Sequence, residues 1–547
     1  MVDETPLLLS SPAPEGTAGE KEPILGAAAA SLDETIERCI GGFGRAQMLQ
    51  AVLVSFAWVF DAQQTFISVF TDRQPSWHCA EENPVCSAAT VATGTTRCGL
   101  PPSSWAWDEP AAASMVSEWD LTCRSSSSLL ASLPASSFYA GCLLGGFLLA
   151  TLADSRLGRK NMLLLSCSLM SLTGLLTAFS HNIWVYSFLR LLSGFGRATI
   201  GTCALVLSTE LVGKRWRGQV GVLGFFGFTL GFLSLPCLAF FLHRHQFSWR
   251  ALYVSTSAPV LLYCLLVYFL VHESPRWLFV SGRAEEAVKT LAKIGAANGR
   301  ESNLSDFSGL INFCPEEETA RDASVFSAMK VLWEKRWTFR RLLVIMVVSF
   351  GVGLVYYAMP LAVETLDFNL YLSVTFNALS ELPAALLTFF LIGSLSRRRM
   401  VLVFTLLSCA ASVACGAMAK TGEAKTGDAG NIVKWVQIGL EVVSFFSACS
   451  AFNVVLIYTL ELFPTCVRNS ALSMARQSLV LGGVFGPMLV AVGRKEGGSV
   501  VSFGIFGLTI GLCGLFVVAL PETRGAAFCD TMEEQEREES TPEATKV

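Results

Sequence analysis

Twelve stretches of mostly apolar residues, each about as long as a bilayer is thick and separated by charged segments, leave this chain few ways to fold. They run over 46–69, 127–152, 161–179, 183–212, 218–242, 251–271, 342–361, 370–395, 400–418, 432–459, 470–492 and 500–520. A hydrocarbon core ~30 Å thick takes about 20 helical residues to cross, and within lipid only helices and closed barrels satisfy every backbone group. These runs are therefore expected to be spanning helices, here spans 1 to 12, in an all-α membrane protein. Charged residues make up only 15% of the 547, against roughly a quarter in soluble domains. The net charge of -4 is divided by side of the membrane rather than pooled, so no nucleic-acid partner is implied.

Basic residues set the orientation. With both termini cytosolic, the cytosolic loops hold Arg156, Arg159, Lys160, Lys214, Arg215, Arg217 and the Arg397, Arg398, Arg399 triplet, while the other side has fewer, chiefly Arg73, Arg97, Arg124, Lys420, Lys425, Lys434, Arg494 and Lys495. The positive-inside rule favours this topology. The polar, Ala/Pro/Glu-rich first 40 residues lack the basic start and apolar core of a cleaved signal, so span 1 is expected to direct insertion.

Most of the 17 cysteines lie singly in apolar runs and read as small buried hydrophobes. Cys79, Cys86, Cys98 and Cys123 instead share the loop between spans 1 and 2, on the oxidising side, and suggest two disulfides whose three possible connectivities stay open. His78 beside Cys79 raises a zinc site as the alternative, but the spacing matches no common zinc pattern, and no metal is expected.

The sequence also divides six spans and six, around a break of about 70 residues that includes the amphipathic SGRAEEAVKTLAKIGAANG. The two parts echo each other at their span ends. TELVGKRWRG after span 4 and LELFPTCVRN after span 10 each set a Glu seven residues before an Arg, Glu210 with Arg217 and Glu461 with Arg468. HESPRWL after span 6 matches LPETRG after span 12, aligning Glu273 and Arg276 with Glu522 and Arg524. LADSRLGRK after span 2, with Asp154, Gly158, Arg159 and Lys160, matches GSLSRRRM after span 8, which keeps the basic cluster and loses the acid. Parallel repeats of six helices related by an axis along the membrane normal are the architecture of major facilitators. The expected layout is a cytosolic tail over 1–45, disordered; a bundle over 46–272 with the cysteine loop at 70–126; a cytosolic linker with amphipathic helices over 273–341; a second bundle over 342–520; and an acidic cytosolic tail over 521–547. Acidic and basic span ends meeting in one layer would latch the halves on the cytosolic side, whereas a purely topological role explains the arginines but not the paired glutamates.

Six charges fall at bilayer depth, away from the span ends, where each costs ~2.5–3.5 kcal/mol even on a lenient scale and so marks a candidate functional residue. Counted at ~1.5 Å per residue, Asp61 of span 1 and Arg190 of span 4 lie at similar depth and are expected to pair. Glu381 of span 8 and Glu441 of span 10 fall near the midplane, with Arg197 and Arg476 in the cytosolic third. The second half thus holds two glutamates against one arginine, leaving one carboxylate to face a cationic substrate or carry a coupling proton. Trp58 and Phe60, Tyr356 and Tyr357, and Phe452 supply aromatic faces of the kind that attract ammonium groups, although most of the 38 phenylalanines must serve packing or lipid contact. No GxxxxGK[ST] phosphate loop or HExxH appears, so neither ATP-driven transport nor a membrane enzyme is indicated, no cofactor is expected, and secondary transport remains.

Taken together ADSRLGRK, SEWDLTC at 117–123, ESPRWL, SGRAEEAVKTLAKIGAANG, ELPA at 381–384, YTLELFPTCVRNSA and LPETRG resemble the organic ion transporter family of the major facilitator superfamily, over about residues 45–525. The resemblance is nearest to plant organic cation/carnitine transporters, whose ADSxLGRK carries the serine found here as Ser155. It implies alternating-access movement of small organic cations or zwitterions such as carnitine, choline or polyamines, facilitative or coupled to a proton or sodium. Alternatives are an organic-anion or sugar porter of the same fold, or a transceptor that senses ligand without net flux. Two departures stand out: animal relatives place Asp or Arg, by substrate charge, where this chain has Val480, with Arg476 one turn earlier, and Thr151 replaces a usual glycine. The one NxS/T sequon, Asn303, lies in the cytosolic linker, so no N-glycan is expected. DETPLLL and EKEPIL resemble the acidic dileucine signals that direct similar plant transporters to the vacuolar membrane, with the plasma membrane as the alternative.

Overall fold

The computed structural model describes residues 40–80, 103–123, 127–154, 157–299, 335–366, 368–422, 428–496, 498–524 and 531–540, with Glu37, Cys86, Cys98, Leu100, Pro101, Leu332 and Cys529 besides. Asn303, both N-terminal leucine motifs and Ser155 lie outside the described residues.

Every expected span is a helix. They are Arg45–Phe66 with its continuation Ser68–Thr71, Ser127–Asp154, Arg159–Thr177, the broken pair Ile183–Arg197 and Ile200–Glu210, Arg217–Arg244, Trp249–Leu270, Arg336–Ala362, Leu370–Ile392, Arg397–Gly422, Asp428–Leu462, Thr465–Glu496 and Ser499–Leu515. Eleven are long and apolar enough by themselves to cross a bilayer. The exception is span 3, of 19 residues, which begins Arg-Lys-Asn and buries Ser166, Ser171, Thr173 and Thr177. Its polarity is partly self-satisfied, since Thr173 and Thr177 each return a 2.7 Å hydrogen bond to the carbonyl one turn earlier.

The helices pack as two bundles with one plan. Span 1 packs on spans 4, 5 and 6, span 2 on span 4, and span 3 on spans 4 and 6; the same contacts recur as 7 with 10, 11 and 12, 8 with 10, and 9 with 10 and 12. The bundles meet through spans 2 and 11 and through spans 5 and 8, a pair related by the same swap. Without a hydrophobic drive between helices in lipid, close approach through small residues supplies the packing. A Cβ on Gly231 of span 5 would lie 2.1 Å from the Val59 carbonyl oxygen of span 1, and one on Gly353 of span 7 would lie 2.1 Å from the Leu479 carbonyl of span 11.

One face is closed by the cysteine loop. Strand β1 (Trp77–Cys79) pairs antiparallel with β2 (Trp105–Trp107), and disulfides join Cys79 to Cys86 and Cys98 to Cys123. His78 turns to Asp108, its Nδ1 2.5 Å from the carboxylate, so the cysteines and histidine do not form the alternative zinc set. In SEWDLTC, Glu118 accepts a 2.7 Å hydrogen bond from Trp249 Nε1 and pairs with Arg250, fastening the loop to the start of span 6. Across this disulfide face the bundles touch through rings: Tyr371 of span 8 stacks on Phe70 at 5.6 Å and meets Phe240 and His243 of span 5 at 5.5 and 5.7 Å.

On the opposite, basic face, helices Pro275–Val280 and Ala284–Ala297 follow span 6, and Asn298 Oδ1 accepts from the Ala46 amide at 3.0 Å, docking them on span 1. Within the C-terminal acidic segment, Met532–Ser540 is helical, and Glu536 accepts from Lys335 and Trp337 at the start of span 7.

Candidate substrate cavity

A cavity of about 210 Å³ opens between the bundles, lined from spans 1, 2, 4, 5, 7, 8, 10 and 11. Its charged groups are Asp61, Arg197, Glu381 and Arg476, and Trp58, Phe225, Phe228, Tyr356, Tyr357 and Phe452 form its aromatic wall. Trp58 lies 6.0 Å from Phe225 and 6.3 Å from Phe228 between ring centres.

Asp61 pairs with Arg197, not with Arg190. The Arg197 Nε and Nη2 donate to the two carboxylate oxygens at 2.5 and 3.2 Å. The expectation failed because similar depth does not fix register: the two spans lie side by side with Tyr186 beside Thr71 and Arg190 beside Gln64 and Ser68, so the next level inward brings Asp61 to Arg197. Arg197 ends the first segment of span 4 just where the helix is interrupted at Ala198 and Thr199. Arg190 is 1% exposed and away from the cavity; it donates to the Gln64 carbonyl and Ser68 Oγ, both at 3.2 Å, and lies 4.2 Å from the Phe138 ring centre. It does not line the cavity.

The two glutamates separate. Glu381 lines the cavity and accepts from Tyr356 Oη at 2.6 Å and from Thr229 Oγ1 of span 5 at 3.4 Å, with no basic partner among the described residues. Glu441 does not line it: it is fully buried behind the cavity, between spans 8 and 10, accepting from Asn377 Nδ2 at 3.1 Å. Neither shares Arg476, which faces the cavity without a carboxylate partner among the described residues. Tyr356 is held by Phe445, stacked at 5.6 Å, and Phe452 at 4.9 Å, while Tyr357 meets Tyr139 of span 2 at 4.9 Å. Phe60 packs on Tyr263 at 5.3 Å and takes no part in the lining.

A family model described as "Sugar (and other) transporter" matches residues 65–535. "Organic cation/carnitine transporter 3" of Arabidopsis thaliana is 58% identical over 92% of this chain and 93% of its own length, and "Organic cation/carnitine transporter 2" of the same plant is 56% identical over 92% and 94%. The chain belongs to the organic cation/carnitine transporter family of the major facilitator superfamily. Among solved structures, a partially occluded inward-open conformation of the xylose transporter XylE from E. coli superposes with a TM-score of 0.60 at 18% identity, covering 88% of this chain and 99% of that one, which supports the major facilitator fold.

Within this transporter fold, the residues expected to latch the basic face first serve their own bundles. Gly158, at φ 83°, turns the chain into span 3, and Glu273 accepts from the Arg159 and Lys160 amides at 3.0 and 3.1 Å, capping that helix. Glu522 does the same for span 9, accepting from the Arg397 and Arg398 amides at 2.9 and 3.3 Å. An anion at a helix N-terminus meets unpaired amides and the positive dipole end. Arg397, seen in the sequence as a topology marker and as part of the basic GSLSRRRM word, pairs with Glu461 at 2.9 Å. Arg468 donates to the Phe463 carbonyl at 3.3 Å, the side chain of Arg276 is exposed, and the Asp154 side chain is outside the description. Glu210 and Arg217 lie at the turn between spans 4 and 5. Val480 and Arg476 both line the cavity, as their one-turn spacing requires. Thr229, Phe225, Phe228, Asn453 and Gln477 are lining residues that sequence reading missed, because uncharged residues inside an apolar run carry no depth or rotation signal of their own.

Proposed function

We propose that this transporter carries a small solute bearing both a quaternary or protonated ammonium and a carboxylate, with carnitine as the type. The observation that carries the reading is the charge ledger of one cavity. Asp61 and Arg197 cancel, which leaves Glu381 and Arg476, an acid and a base with no ionic partners among the described residues. An ammonium group is drawn to Glu381 and to the rings of Tyr356, Phe452, Phe228 and Trp58; a carboxylate is drawn to Arg476, whose guanidinium matches it bidentately. A cavity of about 210 Å³ suits a solute of few heavy atoms, since drug-sized ligands occupy roughly 300–1,000 Å³. The relatives' names, organic cation/carnitine transporter, accord with this choice. The basic face is read as cytosolic, with the bundles rocking about the cavity and the Glu210, Arg217, Glu461 and Arg468 layer closing below it in the alternate state.

We place the protein in the vacuolar membrane on its acidic dileucine signals; loss of vacuolar fluorescence when Leu7 and Leu8 of a tagged chain become Ala is expected, and unchanged targeting rejects the motif. The substrate test is uptake of labelled carnitine, choline, a polyamine and an aromatic carboxylate into proteoliposomes. Saturable carnitine uptake, inhibited more weakly by choline and not by the aromatic carboxylate, is expected. Uptake of the aromatic carboxylate alone would reverse the reading in favour of an organic-anion carrier.

A further inference from the structure

Behind the cavity, the bonding around Glu441 is short of a donor. Its Oε1 accepts from Asn377 Nδ2, but its Oε2 and the Asn377 Oδ1 are both buried without a partner among the described residues. A carboxylate and an amide oxygen are acceptors only, whereas a protonated carboxyl brings one O–H. The neighbours do not supply the missing donor. On span 9, Ser408 and Ser412 are engaged with Ser444 of span 10 at 3.0 and 2.7 Å; on span 8, Ser380 bonds back to the Asn377 carbonyl. Gln437 donates to the Cys415 carbonyl at 3.3 Å. The titratable groups that interact with this point are Cys415 on span 9 and Cys449 on span 10 itself, and Glu381 lies one helical turn beyond Asn377 on span 8; no Lys, Arg or His among the described residues pairs with Glu441.

Two short routes join this buried group to the cavity. Asn377 precedes Glu381 by four residues on span 8, so both lie on one helix face. Glu441 precedes Phe445 by four on span 10, and Phe445 stacks at 14° on Tyr356, the donor to Glu381.

We propose that Glu441 is a proton-binding site, separate from the solute cavity and opposed to it, which makes the carrier exchange protons for organic ammonium solutes. The proposal rests on the transport reading above. An ammonium beside Glu381 and a proton on Glu441 are two positive charges brought to neighbouring carboxylates in a medium of low dielectric, so each weakens the other's binding by the same factor. In each cycle the Glu441 carboxylate takes one proton from the acidic side and the carboxylic acid gives it up on the other side as solute binds; only the O–H bond forms and breaks.

The experiment is calorimetric and spectroscopic on the purified chain. Adding choline or carnitine to weakly buffered wild type should release up to one proton per bound solute, read by a pH dye, and affinity should rise about tenfold with pH, within the usual range of coupling. Glu441→Gln should keep binding, lose the release and flatten the pH dependence. Release that persists in E441Q but vanishes in Glu381→Gln puts the proton in the cavity and overturns the proposal, as does wild-type binding that responds to sodium and releases no proton. Infrared spectra give a readout independent of solute: a protonated-carboxyl band present in wild type must be missing from E441Q, and its survival there overturns the proposal. If neither solute binds but the band behaves as expected, the fault lies in the substrate reading. Should E441Q fail to assemble, Asn377→Leu, which removes the one donor to this carboxylate among the described residues, should move the band's titration to higher pH, and an unmoved titration counts against the assignment.

Discussion

Replacing Asp61 with Asn should cost markedly more than replacing its partner Arg197 with Gln. The side chains of the pair are 4% and 13% exposed, and the contact is bidentate. Removing one member of a buried pair costs about 3–5 kcal/mol, because the survivor is left charged and out of water. Here the survivors differ. Arg476 lines the same cavity, within electrostatic reach of both groups. A sphere of 210 Å³ is about 7 Å across, and at that separation with an effective dielectric of ~20 two unit charges interact by roughly 2 kcal/mol. Asp61→Asn leaves two guanidiniums facing each other, which adds to the penalty, whereas Arg197→Gln leaves Asp61 with Arg476 as a substitute partner, which subtracts from it. The expected gap between the single variants is about 2–4 kcal/mol, and the double variant, with neither charge stranded, should recover to within ~1 kcal/mol of wild type. Reversible unfolding in mixed micelles, followed by tryptophan fluorescence, measures all four proteins on one scale. Equal costs for the two single variants, or a double variant whose cost is their sum, would refute the pairing and the role given to Arg476.

Three further outcomes are expected. Tyr371→Ala removes ring contacts to Phe70, Phe240 and His243, each worth about 0.5–1.5 kcal/mol, so the disulfide face should open more often, read as a longer spin-label distance between bundles on that side; unchanged distances would mean these rings do not hold the face. Gly353→Ala must push apart spans 7 and 11, because the new Cβ would sit 2.1 Å from the Leu479 carbonyl, at a cost of about 1–3 kcal/mol in the same unfolding assay. Burial holds the Glu273 carboxyl above its ordinary range despite the amide bonds from Ser274, Lys160 and Arg159. A raised value means the folded chain holds that proton more tightly than the unfolded one, so the contribution is fullest below the unfolded value and is lost as pH rises through the folded value. Melting followed between about pH 4 and 7 should therefore fall more steeply in wild type than in Glu273→Gln, and parallel curves would reject the assignment.

The spans were legible because lipid imposes one rule on a long stretch of chain: twenty apolar residues are needed wherever they occur, and hydropathy reads them without knowledge of neighbours. The repeat was legible for a related reason. Span ends need caps, and the caps are short charged words, so Glu273 and Glu522 showed as equivalent positions before either had a partner. Side-chain pairing was less accessible. Depth along a helix is only a translation; whether Asp61 meets Arg190 or Arg197 depends on how the two helices are shifted and rotated against each other, and the register that sets Arg190 beside Gln64 and Ser68 gives Asp61 to Arg197. Glu441 and Glu381 looked equivalent for the same reason, since counting places both near the midplane but only rotation puts one into the cavity and the other behind it. The cysteine pairing could not be chosen at all, because four cysteines in one loop are constrained by its tertiary path, set by the β1 and β2 pairing and by Glu118 on span 6.

These placements also say how solute can reach the relative position of the bundles. Glu273 and Glu522 spend their hydrogen-bonding capacity inside their own halves, which favours each bundle moving as a unit. Glu381 does not. One of its oxygens is held by Tyr356 of its own half, the other by Thr229 of the opposite half at 3.4 Å, near the limit of a useful bond. An ammonium solute that engages Glu381 competes with this weak contact between halves while leaving the strong one within the half intact. A ligand shifts a conformational equilibrium only by the difference in its binding to the two states. Glu381 is the place where such a difference can arise, because the carboxylate proposed to draw the solute is itself one of the groups by which span 8 touches span 5.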